Sequence, residues 1–156
     1  MSKLFTPPRW RVALVRERLA PSFPADVIRT SQDVARAFAF LAEADREQFW
    51  VAALSGKNRL IGTHQVSVGT LTASLVHPRE VLKVLILTSA AACVLVHNHP
   101  SGDPTPSAED LAITQRLTQA GALLGINVLD HVVLGEGRYT SFADEGLLGG
   151  TTLRVL

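Results

Sequence analysis

The chain has 156 residues, of which 47% are apolar and 19% are charged, with a formal net charge of +1. This length and composition suit one domain with its own core and exclude a protein that binds polyanions through global charge. The single cysteine, Cys93, excludes an internal disulfide and indicates a reducing compartment. Apolar runs are too short to span a membrane and a secretory leader is lacking, so we expect a cytoplasmic protein without membrane association.

Residues 1–29 are predicted to be an extension that precedes the domain proper, residues 30–156. Four arginines between Arg9 and Arg18 invite a nucleic-acid interpretation. The alternation of Val12 and Leu14 fits an edge strand equally well, and we favour a partly paired strand. Such an edge could pair with another chain, so this segment is a candidate contact for forming an oligomer.

The rest of the chain alternates between strands and helices. Strands are predicted at 48–54, 59–70, 92–97, 126–134 and 138–142. Helices are predicted at 31–45, from 78 onward and at 107–122. The helical residues expected to face the core are Val34, Phe38, Leu41, Val81, Leu82, Leu85, Leu111, Ile113, Leu117 and Ala120. This order predicts an α/β (α+β) fold in which helices pack on a curved, mixed β-sheet.

The segment 94–110, VLVHNHPSGDPTPSAED, carries the side chains best suited to chemistry. His97 and His99 lie two residues apart at the end of an apolar strand, so their side chains point the same way. Asp110 falls in the first turn of the next helix, which can return it to the strand end. Two imidazoles and a carboxylate, with a fourth position left for water, are typical of a catalytic zinc site. The sequence therefore predicts one Zn²⁺ per chain at these three residues.

Ser107 and Asp110 also fit a helix capping box, in which the serine hydroxyl accepts from a backbone amide in the first turn. That interpretation explains these two residues without a metal, but it leaves the paired histidines unexplained. The two interpretations are compatible, because one Asp110 oxygen can bind a metal while Ser107 caps the turn.

The pattern His-x-His-Pro, six residues, Ser, two residues, Asp is similar to that of the JAMM/MPN+ metalloproteases. The surrounding sequence resembles the RadC branch of that superfamily. The resembling stretches are 62–81, 97–110, 125–135 and 138–146. The resemblance covers about residues 30–148 and implies a JAB/MPN-like domain with an architecture akin to that of cytidine deaminases.

The resemblance also implies two catalytic residues. The segment 46–56, REQFWVAALSG, matches the superfamily pattern Glu-Phe, apolar residues, Leu-Ser-Gly, which makes Glu47 the general base. Ser107 would help to hold the developing oxyanion. Alternatively, Glu47 is a solvated residue at a helix end, and Glu43 or Asp45 takes its place.

The remaining histidines are predicted to be structural. His64 lies on a strand near Gly62 and could approach the site, and His77 precedes a helix that starts at Pro78. His131 follows Asp130 in a buried strand, where a carboxylate behind the imidazole could orient a ligand. Asn98, between the two metal-binding histidines, is predicted to have no catalytic role.

The function implied by the resemblance is a zinc-dependent JAMM-type metallopeptidase that cleaves a peptide or isopeptide bond. The substrate would be a protein or peptide, and JAMM relatives act on ubiquitin or ubiquitin-like tails. A DNA-repair role, from the label of RadC-like proteins, is one alternative. We expect weak or no nucleic-acid binding, because the charge is small and only about 25 residues precede the domain where longer relatives carry a helix-hairpin-helix-like region. A non-catalytic MPN-type interaction module is the other alternative, although all five motif positions are retained.

Overall fold

A computed structural model describes residues 11–15, 17, 26–69 and 76–149. The strands are β1 (Gln48–Leu54), β2 (Leu60–Val68), β3 (Ala92–Asn98), β4 (Asn127–Leu134) and β5 (Tyr139–Ser141). The α-helices are α1 (Ser31–Ala37), α2 (Pro78–Leu87) and α3 (Ala108–Leu123), and a 3₁₀ helix spans Ala39–Glu43.

The five strands form one sheet in the order β2-β1-β3-β4-β5. Neighbouring strands are antiparallel except β3 and β4, which are parallel and are joined by a crossover through α3. The predicted α/β (α+β) fold, a mixed sheet with helices packed on it, is confirmed.

Strand β3 lies at the centre of the sheet, and all seven of its residues are buried. Cys93 and Leu95 pack in the cluster that contains the apolar sides of α2 and α3. Val94 and Val96 pack on the opposite face, against α1 and the 3₁₀ helix. Because helices cover both faces of the sheet at β3, most residues of the strand are apolar and all are buried.

The predicted helix at 31–45 is wrong in its extent. A capping box of Thr30 and Asp33 starts α1, as the sequence indicates, but the α-helix ends at Ala37 and a 3₁₀ helix follows. Phe38 and Leu41 are both almost fully buried. Residues three apart lie directly above one another in a 3₁₀ helix, so the tighter turn places both Phe38 and Leu41 against the sheet.

The predicted core face of α3 is wrong at Leu111, which is 42% exposed. The buried face contains Asp110, Ile113, Thr114 and Leu117 instead. Turning the Asp110 carboxylate toward the end of β3 moves Leu111 about 100° around the helix and out of the core.

The predicted edge strand near the N-terminus is not found at residues 11–15, which have no regular secondary structure. Val12 lines an apolar groove of about 640 Å³ with Ile86 and Leu87 of α2 and with Leu124, so it lies near a helix and not at a sheet edge. Most of the extension lies outside the described residues. The boundary at residue 30 stays a prediction. In the described part of the chain, no helix has the length and hydropathy needed to cross a membrane.

Candidate metal centre

Three segments meet at the end of β3. His97 belongs to the strand and His99 follows it, while Asp110 lies in the first turn of α3. Glu47 immediately precedes β1, and Phe49 pairs with His97 in the register of β1 and β3. Because the two strands are antiparallel, the start of β1 lies beside the end of β3, and Glu47 reaches the histidines.

The predicted metal ligands lie within contact distance of one another. The Nε2 atoms of His97 and His99 are 2.9 Å apart. His97 Nε2 is 3.1 Å from Asp110 Oδ1, and His99 Nε2 is 3.4 Å from Asp110 Oδ2. Tetrahedral zinc with bonds of 2.0–2.1 Å separates its ligand atoms by roughly 3.3–3.4 Å. The three residues therefore fit a zinc ion with shifts of a few tenths of an ångström.

The hydrogen bonds around the site determine which atoms can accept a metal. His99 Nδ1 lies 2.8 Å from the carbonyl oxygen of Asp103, which can only accept, so Nδ1 carries the hydrogen. The Nε2 of a neutral His99 then presents its lone pair to His97 and Asp110. Electron-rich atoms from three residues thus face one another, and a metal ion or a proton must lie between them.

The pKa shifts of His99 and Asp110 agree with this requirement. The hydrogen bond to Asp110 raises the pKa of His99, with a smaller contribution from the Asp103 carbonyl, so a proton stabilises the site when no metal is bound. Burial alone would raise the pKa of Asp110, but its close contacts with the His97 and His99 rings outweigh burial and hold that pKa far below its ordinary value. Asp110 is therefore ionised at neutral pH.

Ser107 orients Asp110 through the capping box that the sequence predicts. Its hydroxyl oxygen accepts from the Asp110 N–H at 3.1 Å, and its own N–H donates to Asp110 Oδ2 at 2.7 Å. The cap leaves Oδ1 directed at His97. Capping and metal binding are thus geometrically compatible, while the role of Ser107 in stabilising an oxyanion stays a prediction.

Glu47 lies at the open side of the site. Its Oε1 is 3.9 Å from His99 Nε2, its side chain is 21% exposed, and it borders a cleft of about 440 Å³. Ligand atoms of Glu47, His97 and His99 all lie within 4.8 Å, so this trio could also hold a metal. The shorter contacts and nearly complete burial of Asp110 favour Asp110 as the third ligand and leave Glu47 facing the cleft.

Asn98 has a positioning role that the sequence did not reveal. Its side chain accepts from Gln48 N at 2.9 Å and donates to Arg46 O at 3.1 Å, so it binds the backbone on both sides of Glu47. The Glu47 carbonyl also accepts from Gly69 N at 2.8 Å. The sequence signal for this role was a polar residue, Asn98, on the face of a buried strand opposite His97.

His131 lies behind His97 and is fully buried. Its Nε2 is 2.7 Å from His97 Nδ1, and its Nδ1 is 2.5 Å from the Thr114 hydroxyl. Burial lowers the pKa of His131 well below its ordinary value, so the ring is neutral. The alternative of an Asp130 carboxylate behind the ring is not found, because Asp130 accepts instead from the backbone N–H of His131 and from the Ser141 hydroxyl.

The other two histidines lie away from these ligands. His64 is exposed on β2, opposite Val51 of β1 and two residues along that strand from Phe49. His77 is the N-cap of α2, and its Nδ1 accepts from Arg79 N at 3.2 Å, in agreement with the predicted helix start.

The fold and the site together define a mixed α/β protein with a candidate metal centre of two histidines and a carboxylate. A family model described as the RadC-like JAB domain matches residues 28–147. The chain belongs to this family.

Curated relatives extend the match. A UPF0758 protein of Symbiobacterium thermophilum is 61% identical over 110 residues, which cover 70% of this chain and 47% of the relative. A UPF0758 protein of Desulforamulus reducens is 45% identical over 142 residues, covering 88% of this chain and 63% of the relative. A UPF0758 protein of Moorella thermoacetica is 50% identical over 136 residues, which cover 86% of this chain and 59% of the relative. The chain thus spans about half to three-fifths of the length of these relatives.

Proposed function

We propose that this protein is a zinc-dependent metallopeptidase of the JAMM type that hydrolyses a peptide or isopeptide bond. The observation that carries the proposal is the convergence of ligand atoms from His97, His99 and Asp110, at separations of 2.9–3.4 Å, beside a glutamate that faces a cleft. A site that only stabilised the fold would be closed on all sides, whereas this one keeps an open side.

Zinc would be held by His97, His99 and Asp110. When bound, it supplies a Lewis acid that polarises a carbonyl group and makes water reactive near neutral pH. A donor set of two imidazoles and one carboxylate, with a further position open, is one that catalytic zinc sites use.

The protein supplies the proton transfers and the positioning. Glu47 Oε1 takes the proton of the attacking water and returns it to the leaving amine, which completes the hydrolysis without a covalent enzyme intermediate. Asn98 holds the backbone around Glu47 so that the carboxylate stays directed at the cleft. The Ser107 hydroxyl, whose oxygen is occupied by Asp110 N–H, retains its hydrogen for donation to the developing oxyanion.

The cleft beside Glu47 supports a proposal for the substrate class. Asp45, Arg46, Gly69 and Pro100 complete its lining, so a positive and a negative side chain flank an open groove. A polypeptide chain, with its alternating amide donors and acceptors, fits such a surface. A protein or peptide substrate is therefore proposed, and a ubiquitin-like tail is one member of that class.

The test is hydrolysis of a mixed peptide library, and of a lysine peptide whose ε-amine carries a Gly-Gly extension, by zinc-loaded protein. Products are read by mass spectrometry. Glu47→Gln should lower the rate by roughly 10²-fold or more, because the amide cannot accept the proton. Glu43→Gln removes a nearby exposed carboxylate and should leave the rate unchanged.

Cleavage that persists in Glu47→Gln, or that survives complete removal of zinc, would contradict the proposal. If zinc binds tightly and neither substrate is cut, the site serves a non-catalytic interaction module. Metal-dependent DNA strand cleavage that is abolished by Asp110→Ala would replace the peptidase proposal with a nuclease.

A further inference from the structure

A chain of three buried hydrogen bonds joins the backbone of one proposed metal ligand to the ring of another. The Thr114 hydroxyl lies 2.6 Å from the Asp110 carbonyl oxygen and 2.5 Å from His131 Nδ1. His131 Nε2 lies 2.7 Å from His97 Nδ1. All four residues are at most 1% exposed, so protein atoms alone determine the direction of these bonds.

The chemistry of the donors allows one direction. A carbonyl oxygen only accepts, so the Thr114 hydroxyl donates its hydrogen to Asp110 O. With that hydrogen used, the hydroxyl oxygen can only accept from His131, which places a hydrogen on Nδ1 of His131.

The same direction continues to the metal site. With its hydrogen on Nδ1, the buried His131 ring offers Nε2 as an acceptor, so His97 donates from Nδ1. The lone pair of His97 Nε2 is then directed at His99 and Asp110 Oδ1. The opposite tautomer of His97 would place a hydrogen where the metal must bind.

We infer that Thr114 and His131 are positioning residues that hold His97 in the one tautomer whose Nε2 can bind the metal. The inference rests on the proposed function, because it assigns these residues to the same metal centre. It adds that the centre depends on a threonine one helical turn after the ligand Asp110.

Aromatic packing holds the two rings at the required angle. Phe142 stacks on His131 with centroids 4.7 Å apart, and Phe49 contacts His131 edge-on with centroids 5.4 Å apart. Phe49 also stacks on His97, with an interplanar angle of 16°. Rotation of either imidazole would break these contacts as well as the hydrogen bonds, so ring angle and tautomer are held together.

The test compares three threonine variants. Thr114→Val keeps the shape but removes the hydroxyl, and Thr114→Ser restores a hydroxyl. Thr118→Val is the matched control, because Thr118 lies one turn further along α3 and its buried Oγ1 has no hydrogen-bond partner among the described residues. Zinc dissociation constants are measured by competition with a chromophoric chelator.

Thr114→Val should weaken zinc binding by roughly 10- to 100-fold, the usual effect of removing a partner that orients a ligand. Thr114→Ser and Thr118→Val should stay within about threefold of the wild type, since the first keeps the bond and the second has none to lose. Equal losses in Thr114→Val and Thr118→Val would overturn the inference, because they would reflect helix packing alone.

Long-range ¹H–¹⁵N NMR of the histidine rings in metal-free protein gives a second measurement. The wild type should show hydrogen on Nδ1 of both His97 and His131, and Thr114→Val should show loss of that single tautomer. An Nε2–H form of His131 in the wild type would overturn the inference even if zinc binds. A wild type that binds no zinc but shows the expected tautomers would overturn the proposed function and leave the hydrogen-bond chain confirmed.

Discussion

Replacing the buried carboxylate of Asp110 by an amide separates its structural role from its proposed role as a ligand. In Asp110→Asn, the amide oxygen can still accept from Ser107 N–H, which lies 2.7 Å from Oδ2 in the wild type. The new NH₂ group can donate to the lone pair of His97 Nε2, which lies 3.1 Å from the other carboxylate oxygen. The variant should therefore fold, but a hydrogen-bond donor takes the place of a charged metal ligand.

The expected size of the effect follows from linkage. At a zinc concentration 100 times its dissociation constant, binding stabilises the wild type by about 2.7 kcal/mol. For a chain of 156 residues, each kcal/mol raises Tm by about 2–4 °C, so zinc should raise Tm by about 5–11 °C. Loss of a ligand should weaken binding by at least about 100-fold, which leaves about 0.4 kcal/mol and a shift of about 1–2 °C at the same zinc concentration.

The assay is thermal unfolding followed by circular dichroism, with and without zinc. Glu109→Gln is the matched control, because it removes one negative charge from the same helical turn at an exposed position. It should retain the full zinc-dependent shift, and Glu47→Gln should do so as well if Glu47 is a base. An undiminished shift in Asp110→Asn, together with its loss in Glu47→Gln, would refute the assignment and make Glu47 the third ligand.

Three further predictions concern pH, packing and DNA. In metal-free protein, the raised pKa of His99 contributes stability that is fully present below the ordinary histidine pKa of 6.5 and is lost as pH rises through the higher pKa of the folded state. As pH rises above 6.5, Tm should therefore fall more steeply in the wild type than in His99→Gln. A Cβ atom at Gly135 would overlap the carbonyl oxygen of Gly102, so Gly135→Ala should lower the free energy of unfolding, measured in urea, by about 1–3 kcal/mol. Gly56→Ala is the control, because the nearest atom to its added Cβ would lie 4.0 Å away, and it should change this free energy by less than about 1 kcal/mol. Titration of labelled duplex DNA should show weak binding that disappears at physiological salt, as expected from a net charge of +1, and tight binding there would contradict this.

Local sequence patterns were sufficient for the strand–loop–helix that carries His97, His99 and Asp110. The spacing of two on an extended strand determines that the two imidazoles share a face, and the structure places their Nε2 atoms 2.9 Å apart. The capping box at Ser107 is equally local, because its hydrogen bonds join residues three apart. The resemblance to a family added Glu47, which no short-range pattern would have singled out.

Tertiary structure decided everything that depends on segments distant along the chain. The pairing of Phe49 with His97 in the sheet register brings Glu47 to the histidines, and periodicity within either strand cannot reveal that register. Thr114 and His131 likewise meet only because α3 packs beside β4. The direction of their hydrogen bonds depends on which donors and acceptors face one another once the residues are buried. Because only folding brings these atoms together, the positioning of His97 cannot be deduced from the sequence alone.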